Sequence, residues 1–198
     1  MARHRLVPAP GQLQLGLDAD PLAIASALRE QLSLAWPGSI VIRELGLSSH
    51  RARVDLAHVS HRLSGFEIKG SRDDLHRLLH QVPAFSATFE QMTAVVASRH
   101  LAEADRMIPR WWGLMEVEHG GLRHVRPAVD NPCIDSHALA ALLWRDEAAA
   151  VLERHVGRPV RATRGSLIGQ IASQLPPEAI GAAVRDAIRL RKGWRTAA

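Results

Sequence analysis

Asp55, Glu67 and Lys69 are the residues whose types and spacing could do chemistry, and they stand in a chain whose cations are otherwise almost all arginine. Of 25 Lys plus Arg, only Lys69 and Lys192 are lysines. Glu67 and Lys69 are two apart in Gly65-Phe66-Glu67-Ile68-Lys69, so on a strand they share a face and Ile68 points the other way. If Arg53–Val59 and Leu63–Lys69 form a hairpin looped at residues 60–62, facing residue numbers sum to 122. Asp55 then faces Glu67 with Cα atoms roughly 4.5–5.5 Å apart. Like charges directly opposite destabilise a sheet. Lys69 offsets part of that repulsion and a divalent cation offsets more. An oxygen-only set with few protein donors suits Mg²⁺ or Mn²⁺. A cation held there polarises a phosphoryl oxygen and acidifies bound water. An adjacent ammonium orients that water or offsets charge in the transition state. The chemistry is metal-assisted phosphodiester hydrolysis. The competing reading is that strand-end Asp and Lys are solvated and that E-x-K arises by chance. The scarcity of lysine weighs against it, because an ammonium is a compact point charge that guanidinium does not replace.

The elements that must position these groups follow from pattern. Asp20 is a good N-cap and Pro21 suits the first helical position, opening a helix along Leu22, Ile24, Ala25, Leu28 and Leu32. Strands are expected over Ser39–Leu47, Arg53–Val59 and Leu63–Lys69. A helix over Asp73–Glu90 carries Leu75, Leu78, Leu79, Val82, Phe85 and Phe89 on one face, with Pro83 predicting a kink or break. Met92–Ala97 reads as a buried strand, Leu101–Ile108 as a short helix and Trp111–Val117 as a strand. Beyond Asn131-Pro132 the pattern is helical throughout: Ser136–Leu152, Arg164–Leu175 and Pro177–Leu190. The chain therefore divides into a loose lead-in (1–19), a mixed α/β core (20–129) and a C-terminal helical extension (130–198).

The ordered set Arg53-Val54-Asp55, Gly65-Phe66-Glu67-Ile68-Lys69 and the helix bearing Gln81 resembles the PD-(D/E)xK nuclease superfamily. With Arg43-Glu44-Leu45-Gly46-Leu47, Arg72-Asp73-Asp74-Leu75, Pro109-Arg110-Trp111-Trp112-Gly113, Asn131-Pro132 and Leu142-Leu143-Trp144-Arg145-Asp146-Glu147, the chain is similar to small bacterial "Sce family" proteins, whose role is not established. The resemblance implies an α/β fold, a restriction-endonuclease-like mixed sheet flanked by helices. It implies Asp55 and Glu67 as metal ligands, the Ile68 carbonyl as a third, Glu44 as an additional acid, and Lys69 as the catalytic lysine. Gln81 with Phe85 resembles a Q-x-x-x-Y motif in which Phe stands for Tyr, so any role of the phenol hydroxyl is absent; a solvated Gln81 is an equal alternative. Val54 replaces the Pro of the "PD" pair.

The expected function is Mg²⁺- or Mn²⁺-dependent cleavage of nucleic acid, DNA being favoured, in repair, restriction or mobile-element defence. The alternatives are a non-catalytic nucleic-acid-binding module or a protein-interaction subunit on the same fold, with a homodimer or protein partner docking on the helical extension. Arg53, Arg72 and Arg77 are candidates for phosphate contact; Arg72 and Arg77 could equally pair with Asp73 and Asp74. Trp111-Trp112 offers a stacking surface or, more commonly, core. The cluster Arg185, Arg189, Arg191, Lys192 and Arg195 is either a nucleic-acid-binding face or a solvated one. His76 and His80 have a zinc-compatible spacing but no H-E-x-x-H pattern. His58 reads as packing or surface, and His50 and His100 as loop residues. Net charge is +5, which permits a polyanionic partner without requiring one. A single Cys133 excludes an internal disulfide framework. No apolar run reaches the length of a membrane span and no signal peptide is visible, so a cytoplasmic protein with no membrane partner is expected.

Overall fold

The structure is a computed structural model and describes residues 16, 20–47 and 52–191. Most of the lead-in, together with His50, Arg51, Lys192 and Arg195, lies outside the described residues.

The first helix, α1 (Pro21–Ala35), starts where the sequence indicates, with the Asp20 carboxylate accepting the Ala23 N–H at 2.8 Å. Strands β1 (Ile40–Leu47), β2 (Ala52–Val59) and β3 (Leu63–Lys69) follow. Helix α2 (His76–Thr88) then leads to β4 (Gln91–Ala97), and α3 (Leu101–Met107) to β5 (Gly113–Glu118). A hairpin through Gly120, at φ 93°, adds β6 (Gly121–Arg126). The strands form one six-stranded sheet in sequence order. β1, β2 and β3 are antiparallel, β3, β4 and β5 parallel, and β6 antiparallel to β5. Parallel neighbours need crossovers, and α2 and α3 are those crossovers. Four helices complete the chain: α4 (Ser136–Ala140), α5 (Arg145–Val156), α6 (Arg164–Gln174) and α7 (Pro177–Leu190). The fold is thus mixed α/β, a mixed sheet flanked by helices with a C-terminal helical region.

Each sheet face has its own apolar cluster. α1 covers one face, packing Ile24, Leu28 and Leu32 with Leu56, Phe66, Ile68 and Val95. The other face carries the larger cluster, in which Val59, Leu63 and Met92 of the sheet share one buried group with Phe85 of α2, Leu152 of α5, Ile171 of α6 and Val184 of α7. The C-terminal helices therefore complete the core of the sheet. Gly65 sits where this packing is tightest: a Cβ there would lie 2.3 Å from the Met92 sulfur and 3.0 Å from the Phe89 ring.

Several expectations are corrected. The helix expected over Ser136–Leu152 is two helices, because Trp144 takes an extended conformation (φ −71°, ψ 164°). The Glu147 carboxylate accepts the Trp144 N–H at 2.7 Å, the Leu142 carbonyl accepts from Arg191 at 2.7 Å, and Arg164 donates to the carbonyls of Ala141 and Leu143. Backbone groups freed by the break are thus satisfied from distant elements. α2 begins at His76 rather than Asp73 and runs continuously through Pro83. Trp111 and Trp112 precede β5 instead of forming its start, and β6 has no counterpart among the expected strands. Among the described residues no helix is long and apolar enough to cross a membrane.

Candidate functional site

All seven residues of β3 are buried. With β2 and β4 on its two sides and helices over both faces, it lies inside the molecule. Ile68 packs toward α1. Glu67 and Lys69 face the opposite way, toward α2, at 1% and 6% exposure. Burying two ionisable groups is costly unless they are paired and hydrogen-bonded, and here they are. The Lys69 Nζ donates to Glu67 Oε1 at 2.6 Å and to Gln81 Oε1 at 3.2 Å. Gln81 comes from α2, so the sheet-to-helix packing assembles the triplet Glu67, Lys69, Gln81.

Asp55 joins from β2. The expected register is present: Val59 faces Leu63, Ala57 faces Gly65 and Leu56 faces Phe66. Backbone pairing stops there, so Asp55 and Glu67 are not a ladder pair as expected. Instead the Asp55 carboxylate accepts the Ile68 N–H at 2.7 Å, taking the place of a strand partner.

Glu44 stands opposite Asp55 in the β1–β2 pairing, between the partners Arg43–Leu56 and Leu45–Val54. It has φ 56°, a conformation no other non-glycine described residue adopts and one that costs energy for a side chain with a Cβ. Ile42 and Leu45 both enter the large cluster, as do Val54 and Ala57. Residues three apart on a regular strand would face opposite ways, so the inward–outward alternation inverts in both strands at Glu44 and Asp55 while their register is kept. The Glu44 carboxylate pairs with Arg53 at the surface, and its charge is still close enough to Asp55 to raise that carboxyl.

Burial raises the Glu67 carboxyl to about 7, with the Asp55 charge pushing the same way and Lys69 opposing. Asp55 is raised as well, first by burial; the Ile68 N–H and Lys69 oppose this, and Glu44 and Asp73 add to it. Glu67 Oε2 is buried and accepts no hydrogen bond of ordinary geometry, although the Gln81 amide is near enough to help lower the Glu67 carboxyl. Among the described residues no three His, Cys, Asp or Glu side chains are grouped to hold a metal ion. Asp55 is within electrostatic reach of Glu67, and of Glu44 and Asp73 as well; Asp55 and Glu67 are the two of these acids that flank Lys69. Such a pair fits Mg²⁺, which keeps several waters and takes one or two carboxylates; it does not fit a closed structural zinc site.

Arg72 and Arg77 are exposed and make no ion pair among the described residues. Asp73 and Asp74 do not pair with them: Asp73 accepts the Gly70 N–H at 2.7 Å and Asp74 the His76 N–H at 2.8 Å. The role of Asp73 in fixing the turn after Lys69 was missed by sequence reasoning, though an Asp three residues after a Gly is a turn signal. A cavity of about 350 Å³ opens over this turn between Arg72, His76, Arg99 and Glu103, and does not include Asp55, Glu67 or Lys69. Phe85 is fully buried against Phe89 and Trp112. Trp112 is fully buried too and donates its indole N–H to Ser86 at 3.2 Å, while Trp111 is half-buried. His58 is buried near Trp36, and burial lowers its pKa to about 4.

The described part of the C-terminal arginine cluster is structural. Arg185 binds Glu90, which also accepts the Leu63 N–H at 2.6 Å. Arg189 reaches Asp186 and the Ser60 carbonyl. Arg191, 6% exposed, grips Glu147 at 2.6 and 2.8 Å and lies 4.3 Å from the Trp144 ring centre.

Compared with known proteins, residues 23–196 match the model of the family described as bacteriophage P4 protein cII. Protein cII of Enterobacteria phage P4 is 32% identical over 78 residues, which cover 39% of this chain and 30% of the phage protein. The chain thus matches under a third of that relative's length. A solved structure of a Silicibacter pomeroyi protein of unknown function aligns at a TM-score of 0.41 and 14% identity, covering 81% of this chain and 86% of that one.

Proposed function

The chain belongs to the bacteriophage P4 protein cII family, and for this member we propose divalent-metal-dependent hydrolysis of a nucleic-acid phosphodiester, with DNA as the favoured substrate. Neither the family description nor the relative's name states an activity. The reading is supported by the resemblance to PD-(D/E)xK nucleases and by one observation above the others: the buried Glu67 carboxylate set beside Asp55 and the Lys69 ammonium, with Oε2 accepting no hydrogen bond of ordinary geometry.

Asp55 and Glu67 would hold Mg²⁺ or Mn²⁺, which when bound polarises a phosphoryl oxygen and acidifies water. Asp55 has one oxygen fixed by Ile68, which orients the other. Lys69 has three donors, of which Glu67 and Gln81 take two. The third is free to bind a nonbridging phosphate oxygen or the attacking water, and to offset the charge that grows on phosphorus oxygens. Gln81 is a positioning residue that holds the ammonium toward Glu67. Arg72 and Arg77, exposed beside the turn after Lys69, are proposed to bind flanking phosphates.

Plasmid nicking tests the reading. Purified protein with Mg²⁺ or Mn²⁺ is expected to nick supercoiled DNA, EDTA to stop it, and Lys69→Ala to slow it by about a hundredfold or more. Nicking that survives both treatments would remove the assignment. A second reading, a nucleic-acid-binding module without catalysis, draws on the lack of a three-acid group among the described residues. It predicts DNA retention with no nicking under any divalent ion.

A further inference from the structure

We propose that the last turn of α5 and the connection to α6 form a nucleic-acid backbone contact in which the guanidinium groups of Arg154, Arg158 and Arg161 bind phosphates. The proposal rests on nucleic acid being the substrate class, and it adds a second contact surface in the helical region. Residues 154–177 contain Arg154, His155, Arg158, Arg161 and Arg164 and no Asp or Glu. Arg164 is turned inward to the carbonyls of Ala141 and Leu143. Arg154, His155, Arg158 and Arg161 are exposed, and their side chains make no ion pair or hydrogen bond with any described residue. Elsewhere Arg62, Arg123, Arg126, Arg185 and Arg191 each face a carboxylate. The turn therefore concentrates positive charge that the fold itself does not use.

The turn is also held in place. Gly157 closes α5 at φ 70°, a left-handed conformation that favours glycine. The Glu153 carboxylate, the acid nearest in sequence, accepts the Val160 N–H at 3.0 Å. Val160 and Ala162 pack on the large core cluster, and Thr163 caps α6 through the Ser166 N–H at 3.3 Å. Backbone order at Arg158 and Arg161 is thus present before any ligand arrives, which lowers the entropy cost of binding. Guanidinium favours phosphate through paired N–H donors. A lipid surface would call for apolar side chains to insert, and Val156, at the end of α5 and 38% exposed, is the one exposed large hydrophobic residue among residues 154–163.

The test compares the full chain with the R154A/R158A/R161A variant, both in EDTA so that no cleavage occurs. Binding to a fluorescent duplex is followed by anisotropy between about 50 and 200 mM salt. The variant is expected to lose tenfold or more in affinity, and its log–log salt slope to fall by about 2 to 3. Replacing the same three residues by Lys is expected to restore most of the slope. An unchanged slope, no duplex binding by the wild-type chain, or a larger loss on anionic vesicles or an acidic protein than on duplex would each overturn the proposal. Nicking assays on the same preparations keep the two readings apart. Wild-type protein that binds duplex through this turn but never nicks defeats the nuclease and leaves the contact standing. Nicking that persists while the salt slope ignores the turn does the reverse.

Discussion

The Asp55 carboxylate accepts the backbone N–H of Ile68 at 2.7 Å, at the point where backbone pairing between β2 and β3 has ended. One side chain thus extends the sheet by a hydrogen bond and carries an acid to within electrostatic reach of Glu67 and Lys69. Structure and proposed chemistry meet at the same atom pair, and the substitutions below separate them.

Asp55→Asn keeps an acceptor for the Ile68 N–H and removes the charge, whereas Asp55→Ala removes both. Chemical denaturation is expected to place Asn close to wild type and Ala about 1–3 kcal/mol lower. Both should lose Mn²⁺ binding, measured by paramagnetic resonance of the free ion. Equal stability losses would show that the hydrogen bond to Ile68 does not hold the strand.

Glu67 makes stability depend on pH. Its folded value is raised from the ordinary 4.5 to about 7, so the folded state binds the proton more tightly than the unfolded state. The contribution to stability is fully present below about 4.5 and is lost as pH rises through about 7. In EDTA, the melting temperature of the wild type should fall between these values, and Glu67→Gln should lose that decline. A variant whose melting temperature declines just as steeply would show that another group is responsible.

Gly65→Ala tests the packing beneath the site. The added methyl would press on the Met92 sulfur and the Phe89 ring. The thioether can yield in part, but the ring, fully buried against Phe85, has no room. Thermal unfolding is expected to show a loss of about 1–3 kcal/mol, and a wild-type melting curve would contradict the close approach.

Arg185→Ala should unfold the protein more readily and leave nucleic-acid binding alone. It strands Glu90, a largely buried acid that also holds the Leu63 N–H. A loss of about 3–5 kcal/mol is expected in urea titrations, with the salt slope of duplex binding unchanged. A shallower slope would return this arginine to the binding surface.

Much of the local design was legible in the residues. The α1 cap at Asp20, the β2–β3 register, the limits of α7 and the shared face of Glu67 and Lys69 all follow from interactions within a few residues or one turn, where periodicity and capping act directly. The sequence by itself also determined that one of the two lysines would sit beside two acids. What only the tertiary structure decided involves partners far apart along the chain. Arg185, Arg189 and Arg191 look like a free basic face until Glu90, the Ser60 carbonyl and Glu147 are brought against them. The break before α5 depends on Arg191 and Arg164 arriving to satisfy its carbonyls. Glu44 pairs with Arg53 where the alternation of β1 and β2 inverts opposite Asp55. The charge of a side chain is fixed by its type, but whether that charge is spent inside the fold or left for a partner depends on which surfaces burial of the apolar core brings into contact.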